Sequence, residues 1–386
     1  MKQLRVLAVI DDLITGGGAE RLLASLLPAL ASRGVICDLA VLRECDALAG
    51  ELELSGIKVI RLGLSNLWTF PRSILGLHAV CRRERYDILW GHLFFGNLNA
   101  MLVGALNSDS KVVVFLESPG YRVSPPKSVG RRVSMMIERW AGLHLADRIV
   151  AVSQAMAEDY REALGWPAIE VINNCVPVGA LPPPIEPGRR GVARKRVGVP
   201  EDAFLIVLPA RLVPIKGHGV LLESMATLRS EKDWHPYCVA LGEGPERAAL
   251  EAKARALGLQ EIVRFEGVVP QSQVFELMQS ADAVVLPSLH EPFGIAAAEA
   301  MALGVPTVIT DAYGFKDLAG RDGAALLVKP GDSRSLAEAL WRLRSEPKLR
   351  AELSEKGQAR VRSLFDTPII AAAWMKLFEA AVRSEK

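Results

Sequence analysis

At 386 residues, with 50% hydrophobic, 23% charged and 6% aromatic side chains, the chain is too long for one ordinary domain and has the composition of a globular protein with two cores. Lys+Arg 46 against Asp+Glu 44 leaves +2, which excludes a general polyanion-binding excess, so affinity for nucleic acid or a membrane would have to come from a local cluster. Five scattered cysteines (Cys37, Cys45, Cys81, Cys175, Cys238), none in a C-x-x-C pair, and six dispersed histidines argue against a disulfide framework or a zinc site.

After Met1-Lys2-Gln3-Leu4-Arg5, a short apolar run to Ile10 ends at Asp11 and Asp12; it is too short for a secretory signal and predicts a first core strand over Leu4 to Ile10. With no run of about 18 uncharged apolar residues, a cytoplasmic location is expected. Further strands are predicted at Val35 to Leu42, Ile57 to Leu62, Asp87 to Gly91, Lys111 to Leu116, Arg148 to Val152 and Ile169 to Ile172, with amphipathic segments between them. The segment Cys175 to Arg190 breaks this rhythm with Pro177, Pro182, Pro183, Pro184 and Pro187, as a stiff connector would. A second set of strands follows at Phe204 to Leu208, Tyr237 to Leu241, Ile262 to Phe265, Ala283 to Leu286, Thr307 to Ile309 and Ala324 to Val328. Helices are expected at about Ser333 to Arg344, Pro347 to Ser363 and Pro368 to Ser384.

Alternating βα units predict an α/β chain of two doubly wound, Rossmann-like domains, with ligand bound in the cleft between the carboxyl ends of their sheets. The expected layout is an N-terminal domain over 1–176, a Pro-rich linker over 177–192, a C-terminal domain over 193–365, and a helix over 366–386 crossing back to the first domain.

Four motifs carry chemistry. After the first strand, Thr15-Gly16-Gly17-Gly18-Ala19-Glu20-Arg21 leads into a helix, where close backbone approach and free N–H groups suit an anion; a plain tight turn is the simpler reading. As G-x-G-x-x-G the loop fails at Arg21, against a dinucleotide dehydrogenase. In the second half, Arg211 and Lys216 stand five apart on a strand-to-helix loop, where a guanidinium fork and a point charge could converge on one diphosphate. Gly242-Glu243-Gly244-Pro245 is a turn open enough for a base or ribose to lie on it. Finally, Glu291-Pro292-Phe293-Gly294-Ile295 begins an alanine-rich helix whose first amides, at Gly294 and Ile295, face a ligand, while Glu299 in its second turn needs a partner, either vicinal sugar hydroxyls or a cap or pair within the protein.

Over Pro209 to Val328, and more loosely over nearly the whole chain, these residues resemble a retaining glycosyltransferase of family 4 (group 1), with the GT-B fold. The resemblance rests on the Arg211/Lys216 pair, the G-x-G-P turn at 242–245, the E-x7-E spacing of Glu291 and Glu299, and the glycine loop Gly16 to Arg21, which is similar to the family's G-G-x-E-R start. It implies that Arg211, Lys216, Gly17, Gly18, Gly294 and Ile295 bind the donor diphosphate, and that Glu299, Gly242, Glu243 and Gly244 bind the nucleoside. Glu291, Phe293 and Gly294 would hold the donor sugar, with Glu291 catalytic, and the first domain would bind the acceptor. Members commonly carry His at the end of the fifth strand; here Glu117 stands there, and His92 ends the preceding strand, so both are candidates for the catalytic residue of the first domain.

The implied activity is transfer of a hexose from a nucleotide diphosphate sugar to a glycan or lipid-linked acceptor. No cofactor is expected, and no metal, since no D-x-D stands between a strand and a loop. A nucleotide-sugar epimerase or phosphorolytic enzyme of the same fold, or a non-catalytic sugar-nucleotide binding protein, are the alternatives. From Tyr121 to Arg139, the cations Arg122, Lys127, Arg131, Arg132 and Arg139 accompany Val129, Val133, Met136, Ile137 and Trp140 on one helical face. This reads either as a surface for an anionic membrane at the inner face of the cell or as an ordinary helix with core contacts. A second basic cluster, Arg189, Arg190, Arg194, Lys195 and Arg196, reads as a soluble linker. Nucleic acid is not an expected partner.

Overall fold

The structure, a computed structural model, describes residues 3–14, 17–45, 47–63, 70–107, 109–118, 120–121 and 125–384; of the residues named above, Met1, Lys2, Thr15, Gly16 and Arg122 lie outside these. The chain divides into two compact units, Met1–Cys175 with Asp366–Lys386, and Val176–Phe365.

The first unit runs β1 (Arg5–Ile10), α1 (Gly18–Ala31), β2 (Ile36–Val41), α2 (Ala47–Leu54), β3 (Lys58–Arg61), α3 (Phe70–Glu84), β4 (Ile88–His92), α4 (Leu93–Leu106), β5 (Lys111–Leu116), α5 (Val129–Leu145), β6 (Arg148–Ala151), α6 (Gln154–Leu164) and β7 (Glu170–Val171). The second runs α7 (Pro187–Arg196), β8 (Leu205–Pro209), α8 (His218–Lys232), β9 (Tyr237–Leu241), α9 (Arg247–Ala256), β10 (Val263–Gly267), α10 (Gln271–Ser280), β11 (Ala283–Leu286), α11 (Ile295–Ala302), β12 (Thr307–Thr310), α12 (Phe315–Ala319), β13 (Leu326–Val328), α13 (Ser333–Ser345) and α14 (Pro347–Arg360). After it, α15 (Thr367–Arg383) returns to the first unit.

All strand pairs are parallel, in the order β3-β2-β1-β4-β5-β6-β7 in the first unit and β10-β9-β8-β11-β12-β13 in the second. Helices cover both faces of such a sheet, so its central strands are apolar throughout rather than alternating. Val6 to Ile10 and Leu205 to Val207 are accordingly buried without exception. The helices dock by one apolar stripe each: α1 buries Leu22, Leu23, Leu26, Leu27 and Leu30, and α13 buries Leu336, Leu340 and Leu343 in the core of the second unit. In both sheets the winding reverses beside the first strand, between β1 and β4 and between β8 and β11. Ligands of doubly wound sheets bind at the carboxyl ends of strands at such a point.

Two expectations are corrected. Residues 177–192 are not a free linker: Pro187–Arg196 forms α7, inside the second unit. Its basic cluster is structural, since Arg194 is buried and donates to the Ser280, Glu201 and Ala203 carbonyls at 2.9, 2.8 and 2.6 Å and to Asp282 at 2.7 Å. Asp282 also accepts from Arg190 at 2.9 Å and from the Leu205 amide at 2.8 Å, which ties α7 to the start of β8. Proline there begins a helix rather than barring one, because its missing N–H falls in a first turn that lacks acceptors anyway. In addition, the strand expected at Ile169 to Ile172 shrinks to the two residues Glu170–Val171 at the sheet edge.

Candidate functional site

The reversal point of the second sheet gathers most of the residues singled out above. Strand β8 ends in Pro209, and the loop beyond it carries Arg211 and Lys216 before Gly217 caps α8. Strand β11, its neighbour, ends at Leu286, and its loop carries Ser288, His290 and Glu291 before Gly294 caps α11. The two loops are zipped together: the Leu289 amide donates to the Ile215 carbonyl at 2.8 Å, and Gly217 lies so close that a Cβ there would stand 2.0 Å from the Pro287 oxygen. Gly217 also has φ +70°, a second reason for glycine.

This zipper brings the Lys216 ammonium to the Glu291 carboxylate at 2.6 Å, with the Ser288 hydroxyl 3.4 Å from the same oxygen. Gly294, at φ +97°, turns the chain into α11; a Cβ on it would meet the Phe315 ring at 2.2 Å and the Glu291 side chain at 3.4 Å. The first amides of α11 have no acceptor within the helix and carry its positive dipole end. A cation, a carboxylate and a helix amino terminus thus share one place.

The Phe293 side chain is buried against Phe365, with ring centroids 5.3 Å apart. Glu299 is buried on α11, with the Gln271 amide of α10 at 3.5 Å from its Oε1. Arg211 is exposed and forms no ion pair among the described residues.

The turn at 242–245 has glycines for a different reason from the expected openness. Cβ atoms on Gly242 and Gly244 would stand 2.4 Å from the Ala210 oxygen and 2.3 Å from the Leu212 oxygen, so the turn packs flat against the Arg211 loop. The Ala210 amide donates to the Leu241 carbonyl at 3.0 Å and the Leu212 amide to that of Glu243 at 2.9 Å. These glycines place Arg211. The Glu243 side chain pairs with Arg247, the first residue of α9.

The first unit has its own candidates at its reversal point. His92 ends β4 fully buried, and its Nδ1 lies 2.9 Å from Glu117 Oε2, so the two residues form one pair instead of competing for one role. His92 Nε2 and Glu117 Oε1 are buried without partners among the described residues. Beneath the imidazole lie Trp90 and Phe115, at ring distances of 4.4 and 5.7 Å. Gly17 and Gly18 stand at the start of α1, where the Glu20 carboxylate folds back over Gly17; a Cβ on Gly17 would fall 1.8 Å from it. That helix end therefore already holds an anionic side chain.

Three groups carry weight that the sequence did not signal. His218, two residues after Lys216, and His290, directly before Glu291, are buried, and loss of hydration together with repulsion from Lys216 lowers both to about 4. Two neutral imidazoles therefore flank Lys216; His290 also packs on Tyr313 with ring centroids 3.8 Å apart. Asp11, at the end of β1, accepts from the Gly96 amide at 2.6 Å and the Phe95 amide at 3.4 Å at the start of α4. Burial raises it to about 6 in spite of those bonds and Arg43. It steadies the turn in which Leu93, directly after His92, is held at φ +59°. Among the described residues, no three His, Cys, Asp or Glu side chains cluster as metal ligands, and no helix is long and apolar enough to cross a membrane.

Residues 190–360 match the family described as Glycosyl transferases group 1, and residues 16–179 match Glycosyltransferase Family 4. The lipopolysaccharide core biosynthesis glycosyltransferase LpsD of Rhizobium meliloti is 30% identical over 375 residues, covering 95% of this chain and 96% of its own length. A D-inositol 3-phosphate glycosyltransferase of Thermomonospora curvata is 30% identical over 386 residues, with 90% of this chain and 87% of that protein covered. Among solved structures, Anabaena HepE in complex with UDP and glucose superposes with a TM-score of 0.82 at 20% identity, covering 97% of this chain and 99% of that one. Two doubly wound parallel-sheet units of this kind define a glycosyltransferase of the GT-B class. More narrowly, the chain belongs to the group 1 glycosyltransferases of family 4.

Proposed function

We propose that the chain is a retaining hexosyltransferase, using a nucleotide diphosphate sugar as donor and a glycan or lipid-linked saccharide as acceptor in polysaccharide or lipopolysaccharide assembly. The observation that carries this reading is the ammonium of Lys216 held 2.6 Å from the Glu291 carboxylate at the Gly294 end of α11, on the reversal point of a doubly wound sheet. The names of LpsD and the inositol phosphate enzymes, and the UDP and glucose in HepE, support the donor and acceptor classes.

In this reading Lys216, Arg211 and the amides of Gly294 and Ile295 hold the diphosphate. As the bond from the sugar C1 to the diphosphate oxygen breaks, the departing negative charge grows, and fixed cations with a helix dipole stabilise it where it develops. Hence a bound metal is not required. The acceptor oxygen attacks C1 from the face the diphosphate leaves, and its proton passes to a leaving phosphate oxygen. Glu291 holds hydroxyls of the donor sugar together with the Phe293 and Gly294 backbone, and Glu299 the ribose hydroxyls, beside the turn of Gly242, Glu243 and Gly244. His92 and Glu117 are the catalytic pair of the first unit in this reading, and the protein works in the cytoplasm or at its membrane boundary.

Calorimetric titration with nucleoside diphosphates and their sugars, followed by NMR of the product anomer, tests this. Expected are diphosphate-dependent binding, an unchanged anomeric configuration, and turnover that survives EDTA. An inverted product refutes retention; activity lost to chelation and restored by manganese refutes charge neutralisation by the protein alone.

A further inference from the structure

Helix α5 turns an apolar stripe outward. Six of its eight large apolar side chains, Val129, Val133, Met136, Ile137, Trp140 and Leu143, are exposed, from 43% for Leu143 to 77% for Val129, while Met135 and Leu145 are half-buried. At 100° per residue the exposed six occupy one stripe about 120° wide. The opposite side is buried and carries Glu138, Ala141 and Gly142. Glu138 accepts from the Tyr121 hydroxyl there, and Gly142 lets the Trp166 ring approach to 2.3 Å of where a Cβ would stand. The Trp166 indole N–H donates to the Arg139 carbonyl at 3.1 Å, which locks this rotation of the helix about its axis.

An apolar stripe of this width facing water needs a cover. Its surroundings say which. Lys127, Arg131, Arg132 and Arg139 are exposed along the segment, and its only acid from Lys127 to Leu145 is the buried Glu138. A second copy docking by the same face would set these cations against their own kind; an anionic surface would meet them favourably. We propose that the outer face of α5 docks on an anionic lipid bilayer, the apolar stripe entering the interface and the four cations meeting headgroup phosphates. The proposal rests on the reading of the chain as a transferase for lipid-linked acceptors and identifies the surface that brings it to them.

The test is co-sedimentation of the full chain with vesicles of phosphatidylcholine alone and with 30% phosphatidylglycerol, at low and high salt. Nucleoside diphosphate titration runs in parallel. Expected is binding to the anionic vesicles at least tenfold tighter than to neutral ones, weakening with salt. Arg132→Glu with Arg139→Glu should cost tenfold or more, and Met136→Glu with Trp140→Glu should abolish binding, while nucleotide affinity stays unchanged. Failure of the parent chain to bind anionic vesicles overturns the proposal, as does equal binding by the variants. So does a dimer that the Met136→Glu, Trp140→Glu variant dissolves, which would make a second copy the cover. Nucleotide binding without vesicle binding sinks the docking surface alone; vesicle binding without nucleotide binding sinks the transferase reading alone.

Discussion

Lys216 and Arg211 share a proposed ligand but not a structural role, and this separates their variants. Lys216 is half-buried and satisfies Glu291, so Lys216→Ala leaves a carboxylate unpaired in a nearly closed place. It should lower both diphosphate affinity and stability, each by about 1–3 kcal/mol. Arg211 is exposed and forms no ion pair among the described residues, so Arg211→Ala should lower diphosphate affinity with little change in unfolding midpoint. Titrations with a nucleoside and its diphosphate, beside urea unfolding curves, check both; equal loss for the two ligands would refute the diphosphate role. The histidines add a pH dependence. His218 and His290, lowered to about 4 in the folded chain, bind protons more readily when unfolded, so their contribution is complete above the ordinary value of 6.5 and is lost as pH falls toward 4. The parent should lose stability over that window, on the order of 3 kcal/mol per residue, and His290→Gln should flatten the profile; an unchanged slope in urea unfolding at pH 4 to 7 would show that the imidazole is not buried neutral.

Among elements, α11 and its cap deserve the sharpest test because Gly294 joins fold to site. Gly294→Ala must accept a left-handed backbone and a Cβ 2.2 Å from the buried Phe315 ring, a cost on the order of 3 kcal/mol. It should reduce thermal stability and diphosphate binding together, measured by calorimetry and titration, whereas an alanine at the uncrowded Gly179 should change neither. The positions of such glycines were legible in the sequence; their reasons were less so. Gly242 and Gly244 looked like an open platform because a sequence exposes turns and hides what lies against them, here the backbone of Ala210 and Leu212. Likewise, the prolines at 177–187 predicted a connector and not the start of α7, since the anchor for Arg190 and Arg194 is Asp282, 92 and 88 residues on.

On the scale of the whole molecule, the last helix belongs to the unit the chain left first. In α15, Trp374 and Phe378 pack on Trp90 at ring distances of 4.5 and 5.3 Å, and Trp374 also meets Phe115 at 4.9 Å, directly beneath His92. Ending the chain at residue 365 would strip this cover, and losing two buried aromatic side chains is worth roughly 3–5 kcal/mol each. The shortened chain should expose its first unit to proteolysis while Val176–Phe365 still binds nucleoside diphosphate, as limited digestion with parallel titration would reveal. Loss of both together would mean the second unit does not stand by itself.

Periodicity and punctuation alone determined the α/β class, nearly every strand, the two-part division and the motifs around Lys216, Glu291 and Gly294, because these depend on neighbours a few residues apart. Only the tertiary structure decided that His92 and Glu117 are partners, that the glycine turn at 242–245 serves the Arg211 loop, and that α5 turns its apolar stripe outward. A helical pattern states that a face is apolar but not what lies opposite it; that depends on residues such as Trp166 and Tyr121, which the fold brings beneath the helix from other segments.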